Sequence, residues 1–230
     1  MNERHRRKRL DALRYALALP RSVWYNLRWL PLKQAVKLPI LVSHRTIVEN
    51  VSGRVELECD RLRMGIVKIG FNTCQASDFG RDHTRLNIRG VLHVCGDCAI
   101  GAGSSIEVSE SGVLMIGAGF NLGPRSLVVC HKSVVFGSHV LTSWNCTFMD
   151  CDQHVLVDDG GRRCNDDREV TIGDSVWIGC HVLVPKGVSV TSQVTVGAGS
   201  VLRGHYDERC TIVAGNPAVV VRHGVNWDGQ

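Results

Sequence analysis

The sequence predicts an all-β chain wound as a three-sided parallel β-helix, and three observations carry that reading. In "VTIGDSVWIGCHVLVPKGVSVTSQVTVGAGSVLRG", from Val170 to Gly204, an aliphatic residue recurs every six positions at Ile172, Ile178, Val184, Val190, Val196 and Leu202. The position two residues before each is small or β-branched: Val170, Val176, Val182, Val188, Val194 and Ser200. The same spacing runs upstream through Ile88, Val94, Ile100 and Ile106, and through Ile116, Leu122, Val128, Val134, Val140 and Cys146. Neither a helix, with period 3.6, nor a two-faced strand, with period 2, requires six. A coil does: each hexapeptide forms one flat side, three sides complete a turn of about eighteen residues, and turns stack at roughly 4.8 Å. A helix of period six would be apolar all round, and its Val, Ile, Thr and Gly content opposes helix formation. A sandwich would show turn signals every 8 to 12 residues without a sustained register.

The elements follow in order. Residues 1–45 form a basic amphipathic arm. Residues 1–40 hold ten Lys/Arg against Glu3 and Asp11, a net +8 in a chain whose total is +5, so the remainder is acidic overall. The arm, "RHRRKRLDALRYALALPRSVWYNLRWL", mixes Arg with Leu, Trp and Tyr. It predicts a helix that packs Leu13, Leu17, Trp24 and Leu27 on its own core, or one that lies on an anionic membrane surface. Nucleic acid is the weaker partner, because no binding motif accompanies the charge. No apolar run reaches the roughly 18 to 20 residues of a membrane span and no signal peptide is legible, so the expectation is cytoplasmic residence.

Residues 46–208 form the β-helix, interrupted twice. Between Ile106 and Ile116 the step is ten, which predicts a bulge near "VSESG". After Cys146 the register would place Asp152 inward, yet Ile172 arrives twenty later, so "DCDQHVLVDDGGRRCNDDRE" leaves the coil as a polar loop over 150–169. Gly101, Gly117, Gly173, Gly179 and Gly197 follow inward positions, where corners are expected to need positive φ. Residues 209–230 form a short C-terminal tail. Ten cysteines are scattered singly apart from Cys95-Gly-Asp-Cys98. They read as small packed thiols rather than a secreted disulfide framework. The CxxC pair could serve a metal or redox site, but no second CxxC or CxxH follows at zinc spacing, and no metal is expected.

Over roughly residues 88 to 222, and most specifically in "IGDSVWIG", "VLVPKGV", "VGAGSVL" and "VAGNPAVVVR", the chain resembles the hexapeptide-repeat acyltransferases, in the branch of maltose, galactoside and surface-polysaccharide O-acetyltransferases. The resemblance implies a left-handed coil, a homotrimer with three shared sites, acetyl-CoA as donor and direct transfer to a sugar hydroxyl. Loops on a rigid scaffold carry chemistry. His154 in "MDCDQHVLVDD" is suited to take the hydroxyl proton at neutral pH, with Asp152, or else Asp150, orienting the ring. A covalent route through Cys151 is a minor alternative, and no G-x-S-x-G elbow is present.

Carried over by position, the donor would lie against Trp177, Cys180 and Ala198. Arg203 stands where galactoside-type members have threonine, and Val219 replaces the first of two terminal arginines, leaving Arg222; Arg203 could supply the missing charge to coenzyme A phosphates. Asn121, Trp144 and Asn145 are the acceptor-side candidates, for hydrogen bonding, stacking or the oxyanion. A zinc hydrolyase of the same solenoid type would need an H-x4-H pair that His131, His139, His154 and His181 do not form. The different-class alternative is a non-catalytic trimeric scaffold or sugar-binding protein.

Overall fold

The computed structural model describes residues 3–74, 77–78 and 80–227, with side chains from residue 12 onward. A 27-residue helix, α1 (Glu3–Trp29), and one further turn, α2 (Leu32–Ala35), lead into a left-handed parallel β-helix. Its strands form three sheets, here faces A, B and C, visited in rotation. Face A begins with Ile40–Val42 and runs through Val67–Asn72, Cys98–Gly101, Phe120–Leu122, Leu141–Thr142, Trp177–Ile178 and Val194–Val196 to Thr211–Gly215. Face B runs from Thr46–Asn50 to Leu183–Val184, and face C from Arg54–Glu58 to His205–Tyr206. Neighbouring strands pair in parallel, for example Phe120↔Cys98 and Val128↔Ile106.

Every residue of the sixfold register is buried, from Ile88 to Leu202, and so is the position two before it in the last block. Phe120, Phe136 and Phe148 fill the middle of the coil, with ring centroids 4.7 and 5.0 Å apart. The coil starts at Ile40, five residues before the arm was expected to end.

The corner glycines work differently from the expectation. Gly101, Gly117, Gly173, Gly179 and Gly197 do not have positive φ; the left-handed residues lie two positions later, at Gly103, Gly119, Ser175, His181 and Gly199. Gly117 and its counterparts are small because coils touch there. A Cβ on Gly117 would stand 2.4 Å from the backbone of Gly137, and one on Gly179 would stand 2.6 Å from that of Ala198.

Both ends of face A are closed. At the start, α1 presents Ala18, Ser22, Tyr25, Asn26, Trp29 and Leu30 to the coil. Asn26 Nδ2 donates to Ile40 O at 2.6 Å while Ile40 N–H donates to Asn26 Oδ1 at 3.1 Å, and Val42 N–H donates to Ser22 Oγ at 2.9 Å. These side chains take the place of a neighbouring strand on an edge that would otherwise expose its ladder. Leu13, Leu17, Trp24 and Leu27 therefore do not pack on the core as expected: they are 56%, 49%, 53% and 55% exposed. At the far end, residues 209–230 are more than a tail, because Ala218–His223 folds back antiparallel on Thr211–Gly215 and covers the other edge.

Candidate active site

Both interruptions of the register fall at the corner between faces B and C: residues 109–112, and the loop 150–169 between Thr147–Met149 on face B and Val170–Ile172 on face C. The loop leaves the coil through Asp150, which is fully buried. Its Oδ1 accepts the N–H of His131 at 2.8 Å, and its Oδ2 accepts those of Lys132 and Ser133, each at 2.7 Å. Asp150 is thus an anchor for the corner of the preceding coil. The expectation that it orients His154 is overturned, because its lone pairs are committed to backbone while the His154 side chain is exposed. Cys151 is buried too, and burial pushes its thiol above the ordinary range, which disfavours the thiolate a covalent route would need.

Beyond it the chain projects as a hairpin. Val157 and Arg163 bridge antiparallel, and Asp158 Oδ1 accepts the N–H groups of Gly160 and Arg162 to close the turn. Val155, Leu156 and Val157 are about three-fifths exposed, at 62%, 58% and 61%. His154 enters this hairpin with its ring accessible. Its carbonyl accepts from Asn165 Nδ2 at 2.8 Å, and the same nitrogen donates to Asp152 Oδ2 at 2.8 Å. Lys186 Nζ, from the corner of the next coil, donates to Asp152 Oδ2 at 2.5 Å. The Lys186 contact, then the Asn165 hydrogen bond, holds the Asp152 carboxyl below its usual range. Asp152 therefore acts on the backbone that carries His154, through Asn165, and not on the imidazole. Asn165 and Lys186 went unread as site residues, although Lys186 lies in the quoted "VLVPKGV". A groove of 560 Å³ opens beside Asp152, lined by Arg168, Lys186, Arg203, His205 and Asn216 among others. Arg203 belongs to this basic groove, at the B–C corner.

The remaining candidates occupy another side. Outward-facing residues on face A form a single ladder along the axis: Asn121 pairs with Leu141, Leu141 with Trp177, Trp177 with Thr195, Thr195 with Ile212, and Ile212 with Arg222. Three strand spacings, roughly 14 Å, separate Trp177 from Arg222. Cys180 and Ala198 flank the ladder at the corner between faces A and B, joined by the hydrogen bond from Gly199 N–H to Cys180 O at 2.8 Å. Trp144 and Asn145 lie on the same corner one coil earlier; Asn145 has φ 57 and its Nδ2 lies 3.4 Å from His181 Nε2. Asn121 is extended and accepts from Asn72 Nδ2 at 3.3 Å. Asn121 and Trp144 line one cleft of 440 Å³ with Phe71, Asn72, Thr142 and Arg14, the last contributed by α1.

The predicted site is thus in two halves on one protomer: Asn121, Trp144, Asn145, Trp177, Cys180, Ala198 and Arg222 along face A and its corner with B, and Asp152, His154 and Arg203 at the B–C corner.

No family model matches the chain. It is 24% identical over 142 residues to an uncharacterized 24.8 kDa protein in the cps region of Klebsiella pneumoniae, covering 62% of this chain and 63% of that protein. Over 53 residues, 23% of this chain and 26% of each relative, it is 43% identical to the putative lipopolysaccharide biosynthesis O-acetyl transferase WbbJ and 38% identical to the galactoside O-acetyltransferase of Escherichia coli K12. The chain spans less than two thirds of the length of these curated relatives. Among solved structures it resembles the polySia specific acetyltransferase NeuO, with a TM-score of 0.56 and 20% identity over 80% of this chain and 88% of that one. Coil, register and this likeness together give the chain the left-handed parallel β-helix of the hexapeptide-repeat acetyltransferases.

Proposed function

We propose that this chain is an O-acetyltransferase that moves an acetyl group from acetyl-CoA to a hydroxyl of a sugar in surface-polysaccharide or glycolipid synthesis. The observation that carries the reading is the division of the candidate residues between the face A ladder and the B–C corner, at the same level of the coil. In a homotrimer, the His154 hairpin of one protomer meets the ladder of the next, with its exposed Val155, Leu156 and Val157 covered by the contact. The donor's arm lies along face A from Trp177 toward Arg222, and its phosphates draw on Arg222 and on Arg203. The sugar occupies the cleft of Asn121 and Trp144.

His154 takes the proton of the acceptor hydroxyl as the oxygen attacks the thioester carbonyl. The tetrahedral intermediate collapses with loss of the coenzyme A sulfur, which leaves as the thiol after the imidazolium returns the proton. No acyl-enzyme forms. Asp152, Asn165 and Lys186 keep the His154 backbone in place; they are positioning residues.

Purified protein given acetyl-CoA and a panel of sugar nucleotides and lipid-linked saccharides is expected to release coenzyme A and add one acetyl mass to an acceptor. His154→Ala is expected to lower the rate at least about 100-fold, the low end of what a general base contributes. Turnover unchanged by His154→Ala removes the base. No turnover with any acceptor, while sugar still binds, selects the non-catalytic sugar-binding alternative.

The reading extends to a cytoplasmic protein held at the inner face of the membrane. No described helix is long and apolar enough to cross one. The exposed stripe of Leu13, Leu17, Trp24 and Leu27 faces away from the coil, next to arginines of a segment of net +8, which is the composition of an interfacial helix. The chain is expected to float with vesicles containing anionic lipid and not with neutral ones, and Leu17→Asp with Trp24→Asp is expected to abolish flotation. Flotation that survives these substitutions assigns the contact elsewhere.

A further inference from the structure

The Cys95-Gly-Asp-Cys98 pair is split by the coil. Cys98 points inward on face A, where burial pushes its thiol up to about 12. Cys95 ends the strand Val91–Cys95 on face C, whose parallel neighbour is Arg54–Glu58, with Glu56 opposite His93 and Glu58 opposite Cys95. Val55, Leu57, Leu92 and Val94 are the buried residues of the two strands, so Glu56, Glu58, His93 and Cys95 all project from the outer surface. His93 lies between the carboxylates: Nδ1 is 3.2 Å from Glu56 Oε2 and Nε2 is 3.2 Å from Glu58 Oε2. One donor atom each from Glu58, His93 and Cys95 falls within 4.8 Å of the others, the only such group of three among the described residues.

We propose that Glu58, His93 and Cys95 bind a zinc ion, with Glu56 as the residue that orients the imidazole. The donors are one thiolate, one imidazole nitrogen and one carboxylate oxygen, a mixed set that favours zinc over the oxygen-seeking divalent ions. Tetrahedral bonds of about 2.0 to 2.3 Å place such donors roughly 3.3 to 3.6 Å apart; His93 Nε2 and Glu58 Oε2, at 3.2 Å, already meet that spacing, and no pair in the group exceeds 4.8 Å. Glu58, the most exposed member, has the freedom to adjust as the sulfur and the imidazole close on the ion. Glu56 accepts Nδ1–H, which fixes the tautomer and leaves the Nε2 lone pair for the metal, as carboxylate–histidine pairs do at zinc centres. Cys95 gives up its thiol proton to solvent as the sulfur–metal bond forms. A water completes the fourth position. The ion joins the first coil to the second, several coils from the His154 loop, and takes no part in acetyl transfer.

Cobalt distinguishes a bound metal from a plain ion pair of His93 with the two carboxylates. The full chain, stripped with a chelator, is titrated with Co²⁺ and then with Zn²⁺. The expected result is one equivalent of Co²⁺ per chain, with tetrahedral visible bands and a thiolate-to-cobalt band in the near ultraviolet, both erased by Zn²⁺. Cys95→Ser is expected to remove the thiolate band, Cys164→Ser to leave it, and Glu56→Gln to keep the bands while weakening affinity about 10- to 100-fold. Absence of stoichiometric binding by the parent chain overturns the proposal, as does a thiolate band that persists in Cys95→Ser. So does affinity unchanged in His93→Gln.

Discussion

Two aspartates separated by one residue have opposite duties, and the difference follows from solvent. Asp150 is buried and accepts three N–H groups of the part-buried corner 131–133; removing its carboxylate takes away their partner, and each donor that water does not reach costs about 1 to 3 kcal/mol. Asp150→Ala is therefore expected to lower unfolding stability by about 1 to 3 kcal/mol, read as a drop in denaturant midpoint at unchanged slope. Asp152 is exposed, and its depressed pKa comes first from Lys186. A depressed carboxylate pKa stabilises the folded state above the unfolded value, so the small contribution of this exposed pair is fully present at pH 7 and is lost only as pH falls below 3.8 through the folded value. The carbon-13 resonance of the Asp152 carboxyl should titrate below 3.8 in the parent chain. Lys186→Met should move the midpoint upward, and a midpoint that does not move would remove Lys186 as the cause.

At the scale of elements, the inward register was legible because stacking coils tolerate little but an aliphatic side chain there, and the interruptions were legible as gaps in it. The packing face of α1 was not. Both of its faces are apolar, and Leu13, Leu17, Trp24 and Leu27 make the more regular stripe. The outcome turns on Ser22 and Asn26, polar residues that look unsuited to a core but meet the open edge of Ile40–Val42 and satisfy its ladder. The use of Asp150 was equally hidden, since it depends on where the preceding corner passes. Corner glycines were found for the wrong reason: coil-to-coil approach, not positive φ, excludes a side chain. Gly117→Ala is accordingly expected to destabilise by about 1 to 3 kcal/mol through overpacking, although its φ suits alanine. A thermal melt unchanged by the substitution would mean that the coils can part there without cost.

For the whole molecule, the proposed acetyl transfer draws on both groups of candidate residues, which one protomer holds apart; under that proposal assembly is a condition of catalysis, and this can be tested without knowing the acceptor's position. If His154 serves the ladder of a neighbour, a chain with His154→Ala still offers an intact ladder, and a chain with Ala198→Trp, which blocks the donor groove, still offers an intact imidazole. Each variant alone is expected to be inactive. Unfolded together in equal amounts and refolded, they form mixed trimers in which about one quarter of interfaces pair a sound imidazole with a sound groove. Activity should return to about one quarter of the parent level, and mixing the folded trimers without dissociation should restore none. A site contained within one protomer predicts no recovery under either protocol, because every chain in the mixture carries one of the two lesions.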